Sequence, residues 1–146
     1  MTIEVTLPRK ILIAIDGSDP SLKAVSYAVQ IGKLTNASLT GLHVVLLPSY
    51  ATPETLESLR KDLTSKGKSI LAEARKLAES RGARILEKLV ETRRSVVLAI
   101  TEEAERDNAD LIVLGTKGTS GIPKLMLGSV AAGVVSFAHC SVIGVR

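Results

Sequence analysis

Leu111-Ile112-Val113-Leu114-Gly115-Thr116-Lys117-Gly118, closing at Gly128-Ser129, decides how the rest of the chain is read. The apolar, β-branched run is a buried strand. It ends in a glycine, a second glycine follows three residues on, and Gly128-Ser129 then opens another apolar helix. Glycine lets a backbone approach a ligand without a Cβ in the way. A helix start presents unpaired N–H groups to an anion, and a serine there adds a hydroxyl. Strand, glycine loop and helix N-terminus together are a way for an α/β protein to hold phosphate. Thr116, Lys117, Thr119 and Ser120 add donors, and Lys117 and Lys124 add positive charge. The helix dipole contributes about 0.3–1 kcal/mol per exposed anion.

The motif is not a Walker A, which needs Gly-Lys-Ser/Thr at the helix start; Lys117-Gly118-Thr119 runs in the wrong order. No Gly-x-Gly-x-x-Gly follows the first strand, so the dinucleotide fingerprint is missing as well. Asp16 stands where the first strand ends, in Asp16-Gly17-Ser18-Asp19-Pro20. Opposite a phosphate loop it suits a carboxylate that accepts bonds from a ribose hydroxyl or an adenine amine. A phosphoacceptor reading fails, because Asp16 has no acidic neighbour before the helix other than Asp19 and no aspartate ends the third strand.

Outward from these segments, strands alternate with helices. Strands are expected over 10–15, 39–47, 84–90, 110–114 and 141–145, and helices over 21–35, 54–81, 96–106 and 128–138. Ser18 or Asp19 caps the first helix, with Pro20 in its first turn. In the long helix Leu56, Leu59, Leu63, Ile70, Ala74 and Leu77 point inward, Gly67 marks a bend, and Gly82 ends it. Alternation of this kind predicts a Rossmann-like or flavodoxin-like α/β fold, an open parallel five-stranded sheet with helices on both faces. Such sheets take ligands at the carboxyl ends of their strands, beside the topological switch point. If the first and fourth strands are neighbours, Asp16 faces the Gly115 loop across one crevice.

At 146 residues the chain is expected to form one domain, 1–146. Aromatics are 2% of residues, so the core must be aliphatic and base-stacking platforms are missing. The net charge of +4 is scattered rather than gathered into a stripe, which counts against nucleic acid. Cys140 is alone, which excludes an intramolecular disulfide and a cysteine zinc site; it reads as a small buried hydrophobe. No signal-peptide core or transmembrane run is visible, and a cytoplasmic protein away from membranes is expected. His43 reads as a strand histidine at the site's edge, with no nucleophile and acid arranged around it, and His139 is far along the chain. Arg93 and Arg94 read as solvated, and Glu102, Glu103 and Glu105 as a solvent face.

These segments together resemble the universal stress protein family, across essentially the whole chain. The resemblance starts at Ile13-Ala14-Ile15-Asp16-Gly17-Ser18 and passes through Leu42-His43-Val44-Val45. It is densest from Ala109 to Thr116 and at Gly128-Ser129-Val130. The spacing Gly-x2-Gly-x9-Gly-Ser is similar to that of the family's ATP-binding branch. The resemblance implies the strand order 3-2-1-4-5 and ATP across the first and fourth strands, with Mg2+ or Mn2+ held through the phosphates. Carried over, Asp16 and Val44 meet the adenosine end, Leu114 and Gly115 lie near the ribose, and Gly118, Gly128, Ser129 and Val130 hold phosphates. Gly17, Ser18, Thr116, Lys117 and Thr119 complete that site. The resemblance also implies a homodimer through the last strand, Val142-Ile143-Gly144-Val145. It departs from the family at Ser141, where members usually carry proline, and at the charged Glu91-Thr92-Arg93-Arg94.

The function these residues imply is a nucleotide-dependent stress or regulatory module whose ligand orders residues 115–127 and changes what a regulatory protein partner meets. No general base stands out near a γ-phosphate, so fast hydrolysis is not expected. The alternatives are a slow ATPase or autophosphorylating enzyme using Ser129, Thr116 or Thr119, and a structural dimer module that holds another adenine nucleotide such as AMP.

Overall fold

The computed structural model describes residues 2–117 and 126–146. Its elements are β1 (Lys10–Ala14), α1 (Asp19–Thr35), β2 (Ser38–Leu46), α2 (Pro53–Ser80), β3 (Leu86–Thr92), α3 (Val96–Arg106), β4 (Leu111–Gly115), α4 (Ser129–Phe137) and β5 (Ser141–Val145). The strands form one parallel sheet in the order β3-β2-β1-β4-β5, as the family resemblance implies. The chain reverses direction across the sheet between β1 and β4, where Ala14 stands opposite Leu114. Gly118, Thr119, Ser120, Gly121 and Lys124 lie outside the described residues, and so does most of the loop expected to be ordered by ligand.

Alternation along the strands splits the core into two layers. Ile11 and Ile13 of β1 meet Val25 and Val29 of α1 and Leu71 and Ala74 of α2. Leu12, Leu42, Ile112 and Leu114 face the other way, onto Ile100 of α3 and Val134 of α4. Each such side chain, fully buried, contributes about 1.5–3 kcal/mol. The core is aliphatic as expected: Tyr27, Tyr50 and Phe137 are all exposed. Local chemistry starts the helices. The side chains of Ser18, Thr52 and Ser95 accept the amides of Ser21, Thr55 and Leu98, and Pro20 and Pro53 sit in first turns.

Several local expectations need correction. β1 stops at Ala14, although Ile15 N–H still reaches the Leu42 carbonyl at 2.8 Å. β3 runs from Leu86 to Thr92 rather than over 84–90, because it follows the long β2 in register from Thr40 to Leu46. β4 opens at Leu111, not Asp110, whose carboxylate instead accepts the amides of Arg9 at 3.0 Å and Lys10 at 3.2 Å. In α2 the most buried row is Gly67, Leu71, Ala74 and Ala78, while Leu56, Leu59, Leu63, Ile70 and Leu77 flank it half-buried. Gly67 marks a close approach instead of a bend: a Cβ there would lie 2.7 Å from His43 Cδ2 and 2.8 Å from Leu89 Cδ1.

Glu103 is buried, not part of a solvent face. It receives Lys88 Nζ at 3.6 Å and Arg106 Nη1 at 2.8 Å. Lys88 also donates to Asp107 at 2.7 Å. That bond, with the charges of Glu103 and Asp107, raises the Lys88 ammonium above its ordinary value against the opposing effect of burial. A raised lysine pKa stabilises the fold fully below the unfolded value and loses this contribution as pH rises through the folded one. Lys88→Met is therefore expected to cost about 1–2 kcal/mol at neutral pH, because Glu103 keeps Arg106. While its carboxylate partners stay ionised, the gap to wild type should hold from neutral pH up to about pH 9 and close beyond the ordinary lysine range. Urea denaturation of both proteins from neutral to alkaline pH tests this, and a gap that already closes between about pH 7 and 9 would contradict it.

Candidate functional site

At the carboxyl edge of the sheet, where β1 and β4 part, lies a cavity of about 230 Å³. Nine residues singled out from the sequence line it: Asp16, Val44, Leu114, Gly115, Thr116, Lys117, Gly128, Ser129 and Val130. They come from four separate segments, and the strand order brings them together. Gly17 and Ser18 are not among the lining residues; they build the turn behind Asp16. Gly17 has φ +88°, a left-handed conformation that glycine adopts without strain. The turn lets Asp16 Oδ1 accept both Ser18 N–H, at 2.9 Å, and the Ser18 hydroxyl. One carboxylate oxygen is thus fixed by its own turn while the side chain stays exposed at the cavity.

One wall is apolar, made by Leu42 and Val44 of β2, Val96 and Ile100 of α3, and Leu114 of β4. Sequence reading found Val44 and Leu114 but missed Val96 and Ile100, which share a helix face four residues apart and read as plain core. It also missed Ser21, 3% exposed, whose hydroxyl donates to the Ser18 carbonyl at 2.9 Å. His43 lines the same cavity, and its Nδ1–H donates to the Ile15 carbonyl at 2.7 Å. The carbonyl can only accept, so this bond sets the tautomer. The ring ties the end of β1 to β2 and so steadies the base of the Asp16 turn.

The opposite wall is the start of α4. Gly128 is the N-cap, with extended backbone (φ −61°, ψ 153°), and its amide donates to the Thr116 carbonyl at 2.7 Å. The first helical bond is Ala132 N–H to the Gly128 carbonyl at 2.9 Å. The amides of Ser129, Val130 and Ala131 precede it, and all three residues line the cavity. With Lys117 and the Ser129 hydroxyl, this wall is built of donors and positive potential. The arrangement suits a ligand with a flat apolar end, hydroxyls near Asp16, and an anion at α4. Among the described residues no group of three or more His, Cys, Asp or Glu is placed to hold a metal.

Gly115 lines the cavity and also packs against α1. A Cβ there would lie 2.7 Å from Pro20 Cβ, 2.8 Å from Pro20 C and 3.0 Å from Ser21 N. The missing side chain makes room for the first turn of α1. Arg93 is exposed yet engaged: its Nη2 donates to the carbonyls of Pro48 at 3.1 Å and Ser49 at 3.0 Å, fastening the loop after β2. Cys140 is half-buried beside the second core layer, and burial pushes its thiol pKa up.

A family model described as the universal stress protein family matches residues 8–146. The chain belongs to the universal stress protein family. A universal stress protein of Methanocaldococcus jannaschii is 37% identical over 146 residues, covering 96% of this chain and 83% of the relative. Among solved structures, the universal stress protein UspA from Lactobacillus plantarum is similar with a TM-score of 0.84 and 28% identity, covering 94% of this chain and 97% of that one. A universal stress protein solved in complex with cAMP is similar with a TM-score of 0.75 and 32% identity, covering 97% and 99%. Ser141 opens β5 opposite Leu111. No helix of the described residues is long and apolar enough to cross a membrane.

Proposed function

We propose that this universal stress protein binds an adenine nucleotide in the β1/β4 crevice and works as a nucleotide-dependent stress or regulatory module. The ligand favoured is ATP, with Mg2+ or Mn2+ carried on its phosphates. The observation that supports this reading is the pairing of the α4 N-terminus with Asp16 across one cavity whose third side is apolar. Val44, with Val96 and Ile100, packs the adenine; Asp16 takes hydroxyls or the amine. Gly128, Ser129, Val130 and Lys117 meet phosphate. Gly118 and Thr119 belong to the same proposed site. The whole chain, 1–146, acts as one domain in the cytoplasm, and a homodimer forms along the exposed edge of β5.

A second reading is a nucleoside monophosphate. It is favoured by the similar protein solved with cAMP. Isothermal titration of nucleotide-stripped protein with ATP and Mg2+, AMP and cAMP separates the two. Micromolar ATP binding with much weaker AMP and cAMP is expected. Tighter cAMP or AMP binding would move the assignment to the monophosphate, and no binding of any of the three would overturn the nucleotide reading. Phosphate release above that of a Gly128→Val control would favour the slow ATPase.

A further inference from the structure

Thr116 is the first residue beyond β4, and three contacts hold it. Its amide donates to the Val145 carbonyl of β5 at 2.9 Å. Its carbonyl accepts the Gly128 amide at 2.7 Å. Its methyl occupies the space that a side chain at Gly144 would take, since a Cβ there would lie 2.8 Å from Thr116 Cγ2. Gly144 is exposed on the outermost strand, opposite Leu114 in register, and does not line the cavity. Thr116 therefore bonds both to the edge strand and to the start of α4.

We propose that Gly144 is a positioning residue for the phosphate end of the nucleotide site, acting through Thr116; this rests on the nucleotide reading above. The bare Cα of Gly144 lets Thr116 seat against β5. Thr116 then holds the Gly128 amide so that the next three amides face the crevice. The backbone of Gly144 lies outside the left-handed region, so alanine there is limited by space and not by conformation. The space is not easily found. Thr116 is β-branched, so two of its three χ1 rotamers put a heavy atom, methyl or hydroxyl, against Gly144, and both of its backbone groups are engaged, so the backbone cannot back away without disturbing one of those bonds. The adenosine end, at Val44 and Asp16, belongs to other segments and is left alone.

Gly144→Ala is expected to weaken ATP and AMP binding about tenfold while adenosine binding stays unchanged. Thr116→Ser removes the obstructing methyl and keeps the hydroxyl. In that background Gly144→Ala should cost nothing further, a rescue that general loosening of the fold cannot produce. The experiment is calorimetric titration of adenosine, AMP and ATP into the wild type, the two single variants and the double variant, with a thermal melt of each. Unchanged ATP affinity in Gly144→Ala would overturn the inference. Equal loss of adenosine and ATP without rescue would also overturn it, reducing Gly144 to a packing position. A wild type that binds no adenine nucleotide is a separate result: it ends the functional reading, and this inference with it.

Discussion

Gly115→Ala is expected to destabilise the ligand-free protein by about 3 kcal/mol or more, seen as a fall in melting temperature of roughly 10 °C. The added Cβ would meet backbone as well as side chain, at 2.7–3.0 Å from Pro20 and Ser21. Neither partner can yield easily. Gly115 is fixed by the sheet, in register with Val145, and Pro20 lies in a turn whose N-cap Ser18 also binds Asp16. Relief would have to come from lifting α1 off β4. That shift would reach the rest of the site, because Ser21 and Asp16 share its cavity. Thermal and urea denaturation without nucleotide test this directly. An unchanged midpoint would mean that the glycine serves the ligand and not the helix.

The same residue shows what the sequence made legible and what it did not. That a glycine must follow Leu114 was readable, since a buried strand running into a loop at a helix start has few other solutions. What the glycine makes room for was not. Pro20 is remote in sequence, and only the parallel pairing of β1 with β4 brings α1 against Gly115. The layered core was legible because apolar residues on both sides of a strand require helices on both faces. The strand order came from family resemblance, since local patterns carry no register. Glu103 was misread for a related reason: its helix neighbours Glu102 and Glu105 are exposed, and its partner Lys88 lies on another element. Val96 and Ile100 escaped notice because an apolar pair on one helix face looks the same against a core as against a ligand. The helix start expected at Gly128-Ser129 was legible because the signal is local: Gly128 is the N-cap of α4.

Gly128→Val is expected to weaken ATP binding at least about 100-fold while leaving the chain folded. Its backbone, φ −61° and ψ 153°, is extended and open to valine without strain. Its amide can still donate to Thr116. Loss of glycine from the N-cap itself costs the fold about 1 kcal/mol or less, because no side-chain cap is being removed, and since Gly128 is buried the valine adds a packing cost of about 1–3 kcal/mol that the melt reads. The ligand meets a different situation. An isopropyl group would stand at the mouth of the helix, over the amides of Ser129 and Val130, and keep phosphate beyond hydrogen-bonding distance. Charge-assisted bonds to backbone amides fall away quickly with distance, and the dipole contribution is confined to the first turn. Gly128→Ala should fall between the two, which grades the effect by size rather than by the presence of a Cβ. Calorimetry reads the affinities, and circular dichroism with thermal melting shows that the fold is intact. ATP affinity retained in Gly128→Val would place the phosphates away from α4 and leave Asp16 and the apolar wall to hold the ligand.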